Sequence, residues 1–314
     1  MKVVFFGTPE FAVPTLKALA AEDDLRPALV VSQPSRPVGR GRKVQAPPVA
    51  QAAEALGLPV RQPESVRQPE FMDALRALTP DVAVVVAYGQ IFRRSLLELP
   101  RLGCVNLHGS LLPRYRGAAP IQASIAAGDT VTGVTTMLME RGLDSGPMLL
   151  KAELEIGPDE RTPELAERLS ALGAPLMVDT LRRLDAGEVE PEVQDHDAAT
   201  FSPRLQRSDA VVDWQLTAAQ IYDRFRGYFP WPGLSSELTG EAVKLVEVRP
   251  GSASDPSAAP GTFVALEDGA MCVACGSGTM VHVERLQRAG KKALAAADFV
   301  NGERLSPGER FAAT

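Results

Sequence analysis

Asn106 and His108 stand two residues apart in the run Asn106-Leu107-His108-Gly109-Ser110-Leu111-Leu112-Pro113. On an extended chain, residues i and i+2 share a face, so this spacing puts a side-chain amide beside an imidazole. Further along, Gly142-Leu143-Asp144-Ser145-Gly146 holds a carboxylate between glycines. An amide that donates to a developing oxyanion, an imidazole that handles a proton and a carboxylate that orients the imidazole are the parts of an acyl transfer. Asn106, His108 and Asp144 are therefore the candidate catalytic residues. Such a transfer needs no covalent enzyme intermediate, so neither Cys104 nor Ser110 is cast as a nucleophile.

These groups need a scaffold, and the pattern around them supplies one. Residues 3–6, 28–32, 82–87 and 105–108 are β-rich apolar runs of the kind buried on both faces of a parallel sheet. Between and after them, residues 11–21, 48–56, 70–78 and 121–127 read as helices. This alternation predicts an α/β fold with a doubly wound parallel sheet, whose ligands bind at the carboxyl ends of the strands. His108 falls at such an end. Residues 131–139 and 148–155 read as two more strands. Residues 163–184 read as a long amphipathic helix capped by Thr162, with Pro163 in its first turn.

Residues 189–205 lack periodicity and carry Pro191, Pro203 and several acids. They predict a linker between a catalytic domain at 1–188 and a second domain at 206–314. In the second domain, short alternating segments separated by turns predict a small β-barrel or sandwich. Trp231, between Pro230 and Pro232, reads as a rigid hydrophobic anchor for it, and His196 as a solvated linker residue.

A basic stretch lies at 33–48, where Arg36, Arg40, Arg42 and Lys43 are interleaved with glycines and prolines. Such a segment has little to build a core from and predicts a mobile cationic loop. It follows the strand at 28–32, which places it at the same sheet edge as His108. Cations beside an acyl-transfer site suit a large polyanionic substrate.

Composition sets the bounds. The chain has 314 residues, 45% of them hydrophobic and 23% charged, with a net charge of −6. That balance argues against coating nucleic acid by bulk charge, without excluding a local basic patch. No apolar run is long enough to span a bilayer, and three cysteines give no disulfide framework, so a reducing cytoplasm and no membrane are expected. Cys272-Val273-Ala274-Cys275, with His282 nearby, has the spacing of half a metal site. A structural zinc site wants four ligands and no second pair is present, so no metal is expected.

The run at 106–117 and the turn at 142–146 resemble the folate-dependent formyltransferases generally, and with the start Val4-Phe5-Phe6-Gly7-Thr8-Pro9 they resemble one tRNA-formylating branch of that family. The basic loop and the second domain with Pro230-Trp231-Pro232-Gly233 narrow the resemblance to the methionyl-tRNA formyltransferase family. The resemblance covers essentially the whole chain. It implies a Rossmann-like first domain, an OB-like second domain contacting tRNA, and 10-formyltetrahydrofolate as donor of a formyl group to the methionine amino group of initiator Met-tRNA. It matches Asn106, His108 and Asp144 to the catalytic residues. Ser110, Leu111, Leu112 and Pro113 match the folate-contacting loop, and Arg36, Arg40, Arg42 and Lys43 a loop that approaches the acceptor stem. A monomer is expected. Arg204 stands where the family more often has lysine. Formyltransferases acting on sugar nucleotides or purine precursors would use the same trio, but would not require the basic loop or the extra domain.

Overall fold

A computed structural model describes residues 1–38, 43–254 and 257–312. The chain forms two compact units. The first holds Met1–Pro120, Val131–Glu155 and Glu164–Ser202; the second holds Ile121–Thr130, Ile156–Pro163 and Pro203–Thr314.

The first unit is built on seven strands, in the spatial order Met148–Glu155, Val131–Leu138, Cys104–His108, Val82–Val86, Val3–Gly7, Pro27–Val31, Val60–Arg61. The five from Cys104–His108 to Val60–Arg61 run parallel, as the valine-rich runs predict. The two strands at the other edge are antiparallel, so the sheet is mixed rather than purely parallel. For the outer pair the connection is short: no helical crossover separates Val131–Leu138 from Met148–Glu155. Val3–Gly7 and Val82–Val86 are buried along their whole length. Phe6 packs edge-on against Tyr88 and Phe92, with ring centroids 5.4 and 5.0 Å apart. A fully buried aliphatic or aromatic side chain of this kind contributes roughly 1.5–3 kcal/mol.

The expected linker departs from the sequence reading. Residues 189–202 pack with the first unit: Met148 and Glu192 exchange backbone hydrogen bonds at 2.8 Å, and Phe201–Ser202 pairs in parallel with Arg116–Gly117. The long helix, Thr162–Ala186, starts at Thr162 itself, whose hydroxyl donates to the Gly227 carbonyl at 2.6 Å.

The second unit's sheet is antiparallel, ordered Leu234–Leu238, Glu241–Ser254, Thr279–Arg288, Ala270–Ala274, Phe263–Glu267. Residues near the carboxyl end bond both of its edges: Ala312 donates to Glu237 at 2.8 Å, while Phe263 donates to Glu309 at 2.8 Å. The sheet is thereby drawn toward a barrel. Helix Ala218–Gly227 carries a reciprocal cap, in which the Thr217 hydroxyl accepts from the Gln220 N–H and the Gln220 amide oxygen accepts from the Thr217 N–H. Trp214 is the buried tryptophan of this unit, whereas Trp231 is half exposed and does not serve as the expected anchor.

Candidate active site

The Cys104–His108 strand has Asn106 opposite Met137 and His108 opposite Thr135 on its antiparallel neighbour. Asn106 is 9% exposed and His108 5%. Leu107 points to the other face, where Gly173 of the long helix packs against it. A Cβ at Gly173 would lie 2.5 Å from a Leu107 methyl, so a larger residue there would push the Leu107 side chain aside. The Thr136 and Thr180 hydroxyls also meet there, at 2.9 Å. The back of the strand is thus filled, and Asn106 and His108 occupy the opposite face.

His108 Nε2 lies 2.9 Å from the Tyr115 carbonyl. A carbonyl only accepts, so Nε2 carries the hydrogen and Nδ1 is the nitrogen left for chemistry. Nδ1 faces Asp144 Oδ2 at 3.8 Å, which is ion-pair range and longer than a hydrogen bond. Asp144 Oδ2 accepts instead from the Gly117 N–H at 2.8 Å. The expectation that a carboxylate orients the imidazole is therefore corrected in one respect: the Tyr115 carbonyl, not Asp144, sets its tautomer. Asp144 itself has left-handed backbone, with φ 48°. The Asn106 side-chain amide has no protein hydrogen-bond partner among the described residues.

Around these groups the loops are tied by buried polar contacts. Thr135 Oγ1 donates to the Ser110 carbonyl at 2.7 Å and accepts from the Leu112 N–H at 3.1 Å. The Ser110 hydroxyl donates to the Arg114 carbonyl at 2.6 Å, and Leu112 packs between Met137 and Met148. Of the four residues matched to folate contact, Ser110 and Leu112 are committed to the loop's own packing. Leu111 and Pro113 are the partly exposed ones. Gly117 has φ 124°, and a Cβ there would lie 2.4 Å from the Ser202 carbonyl oxygen.

Sequence reasoning missed Gln194, which is 2% exposed. Its amide nitrogen donates to the carbonyls of Asp144 and Gly146, at 2.8 and 2.7 Å. Its oxygen accepts from Nε of buried Arg116 at 2.9 Å. Arg116 also reaches His196 Nδ1 at 3.1 Å, so His196 is engaged rather than merely solvated. Thr200 accepts at its hydroxyl from the Tyr115 N–H and at its carbonyl from the Arg116 N–H, both at 2.8 Å. Residues 192–202 therefore bridge the loop that orients His108 and the loop that carries Asp144. No single-sequence signal marks Gln194; only the fold brings it there.

Cys104 lies on the same strand but is sealed away from this chemistry. Burial pushes its thiol up to about 12, and its sulfur faces the Leu96 carbonyl at 3.6 Å. In the basic stretch, Arg36–Val38 and Lys43–Gln45 pair as two short antiparallel strands. Arg36 is exposed on it, and Arg40 and Arg42 lie outside the described residues.

The formyl transferase family model matches residues 1–181, and the formyl transferase C-terminal domain model matches residues 204–304. A methionyl-tRNA formyltransferase of Acidobacterium capsulatum is 50% identical over 315 residues, covering 100% of both chains. One of Geobacter metallireducens is 47% identical over 313 residues, covering 99% of this chain and 98% of its own. Among solved structures, an N-formyltransferase of Helicobacter canadensis in complex with folinic acid and dTDP-3-aminofucose has a TM-score of 0.64 at 15% identity, over 92% of this chain and 99% of that one. HypX of Aquifex aeolicus in complex with tetrahydrofolic acid has a TM-score of 0.60 at 15% identity, over 96% of this chain and 47% of its own. Those two likenesses establish the fold. The full-length identities establish more: the chain belongs to the methionyl-tRNA formyltransferase family.

Proposed function

We propose that this chain transfers a formyl group from 10-formyltetrahydrofolate to the amino group of methionine on initiator Met-tRNA, giving formyl-Met-tRNA for translation initiation. The observation that carries this reading is identity of 50% with a methionyl-tRNA formyltransferase across 100% of both chains, second domain included. The arrangement of Asn106, His108 and Asp144 supports it.

Bound 10-formyltetrahydrofolate supplies the formyl carbon that the amine attacks. Asn106, its amide unpaired among the described residues, donates to the formyl oxygen as charge develops there. His108, with its hydrogen held at Nε2, presents a bare Nδ1. Nδ1 and Asp144 Oδ2, 3.8 Å apart, form two acceptors that bracket the N–H groups of the incoming amine. The amine proton passes to this pair and from there to the departing nitrogen, so no net charge is left on the protein. Leu111 and Pro113 offer the exposed part of the folate-contacting loop, with Ser110 and Leu112 fixing its shape. Arg36, Arg40, Arg42 and Lys43 contact the tRNA backbone near the acceptor stem. The chain acts as a monomer in the cytoplasm.

The test supplies the purified chain with 10-formyltetrahydrofolate and initiator Met-tRNA, and measures formyl-methionine recovered from the tRNA. Formylation of an amino-sugar nucleotide with the tRNA left untouched would replace this reading with that of a small-molecule formyltransferase.

A further inference from the structure

We propose that the carboxyl-terminal sheet holds a divalent cation of the zinc class, bound by Glu267, Cys272 and His282. The three residues come from the adjacent strands Phe263–Glu267, Ala270–Ala274 and Thr279–Arg288, with Cys272 directly opposite His282. One ligand atom from each lies within 4.8 Å of the others. His282 Nε2 and Glu267 Oε2 are 3.8 Å apart. Two ligands each about 2.1 Å from a tetrahedral ion lie roughly 3.4 Å apart, so a closure of a few tenths of an ångström completes the pair.

His282 supplies the independent observation. It is 5% exposed, and neither ring nitrogen has a hydrogen-bond partner among the described residues. Buried polar atoms are almost always partnered, and an orphan of this kind marks a missing ion or water. An ion at Nε2 provides the partner and leaves the hydrogen on Nδ1. Space beside the ring is kept by Gly251, where a Cβ would lie 2.9 Å from Nε2. Arg249, opposite His282 on the neighbouring strand, is held by Glu284 at 2.7 Å, which offsets its charge near the site.

The donor set selects the ion class. Thiolate, imidazole and carboxylate together suit zinc, whereas magnesium and calcium want oxygen alone. Three protein ligands leave a fourth position for water. On binding, the Cys272 thiol gives its proton to solvent. The Cys-x-x-Cys spacing misleads about the membership. On a strand, positions 272 and 275 face opposite sides. Cys275 packs in the core with Val273 and Val281, its sulfur 3.4 Å from the Val273 carbonyl. Glu267 takes the place a second cysteine would have had.

The test dialyses the full chain against zinc alone and counts bound metal by mass spectrometry, with cobalt substitution as a spectroscopic check. Wild type is expected to hold one equivalent, and its cobalt form to show thiolate-to-metal absorption. Cys272→Ser should lose that absorption, and His282→Gln and Glu267→Gln should each weaken binding at least tenfold. Cys275→Ser should keep the equivalent, and Asn106→Ala controls for the candidate active site. Circular dichroism of each variant separates lost ligation from lost folding. Wild type binding no more zinc than the Glu267→Gln, Cys272→Ser, His282→Gln triple variant overturns the proposal, as does loss of the equivalent in folded Cys275→Ser with retention in Cys272→Ser.

Discussion

Two buried histidines sit in this molecule, one in each unit, and each faces a carboxylate at 3.8 Å: His108 with Asp144, and His282 with Glu267. Their surroundings differ. At His108 the second nitrogen is held by the Tyr115 carbonyl and the carboxylate is held by the Gly117 N–H, so one free edge remains, beside the unpaired amide of Asn106. At His282 both nitrogens are unpartnered among the described residues and a thiol lies alongside. A histidine with one nitrogen committed is prepared for proton transfer. One with neither nitrogen committed, beside sulfur and oxygen, is prepared for an ion. Residue type and distance are alike at the two sites; the hydrogen bonds around them decide what each can do.

The sharpest way to break this comparison is to remove the feature that His282 lacks, the neighbouring amide. Asn106→Ala should lower kcat by roughly 10²–10³ with tRNA binding nearly unchanged, measured by single-turnover formylation and by filter binding. A variant with near-normal turnover would take Asn106 out of the mechanism. Next in size, Gln194→Ala should move Asp144 without touching the reacting atoms. Turnover should fall up to about a hundredfold, as small misplacements do, while KM for the folate stays close to wild type. The same change leaves buried partners unsatisfied and should cost about 1–3 kcal/mol in denaturant unfolding.

A third experiment uses Cys104, a cysteine outside both histidine sites. Burial holds the Cys104 thiol up at about 12, above its ordinary value. The folded state thus disfavours the thiolate. The contribution is fully present below the unfolded thiol pKa and is lost as pH rises from near 9 toward 12. Cys104→Ala should flatten part of the alkaline loss of stability in pH-resolved unfolding curves, and the native chain should formylate normally after mild alkylation. The smallest effect belongs to the basic stretch. Arg36→Ala should weaken tRNA binding modestly and reduce the slope of log affinity against log salt by about 1, read from binding at several salt concentrations.

The valine runs were legible because burial on both faces leaves a continuous apolar string, and Asn106 and His108 because strand spacing fixes their side. Gln194 was not legible, nor was the role of residues 192–202. Polar side chains and prolines read as linker when their partners are backbone groups far away in sequence, such as the carbonyls of Asp144 and Gly146. The pairing within the basic stretch was not legible either, since a three-residue ladder leaves no periodic pattern. Trp231 reads as an anchor because Pro230 and Pro232 stiffen the chain around it, yet it is half exposed, and Trp214 is the tryptophan buried in this unit. Cys275 was grouped with Cys272 by spacing, although the pleat sends them to opposite faces.

The Tyr115 carbonyl does more than choose a tautomer. A ring flip of His108 would break the 2.9 Å contact, so the imidazole is a turnstile with one side bolted. Its Nε2 hydrogen should outlast many catalytic cycles and appear as a slowly exchanging resonance in nitrogen-edited spectra. Protons that matter to the reaction would pass through the opposite nitrogen alone, and always toward the same carboxylate.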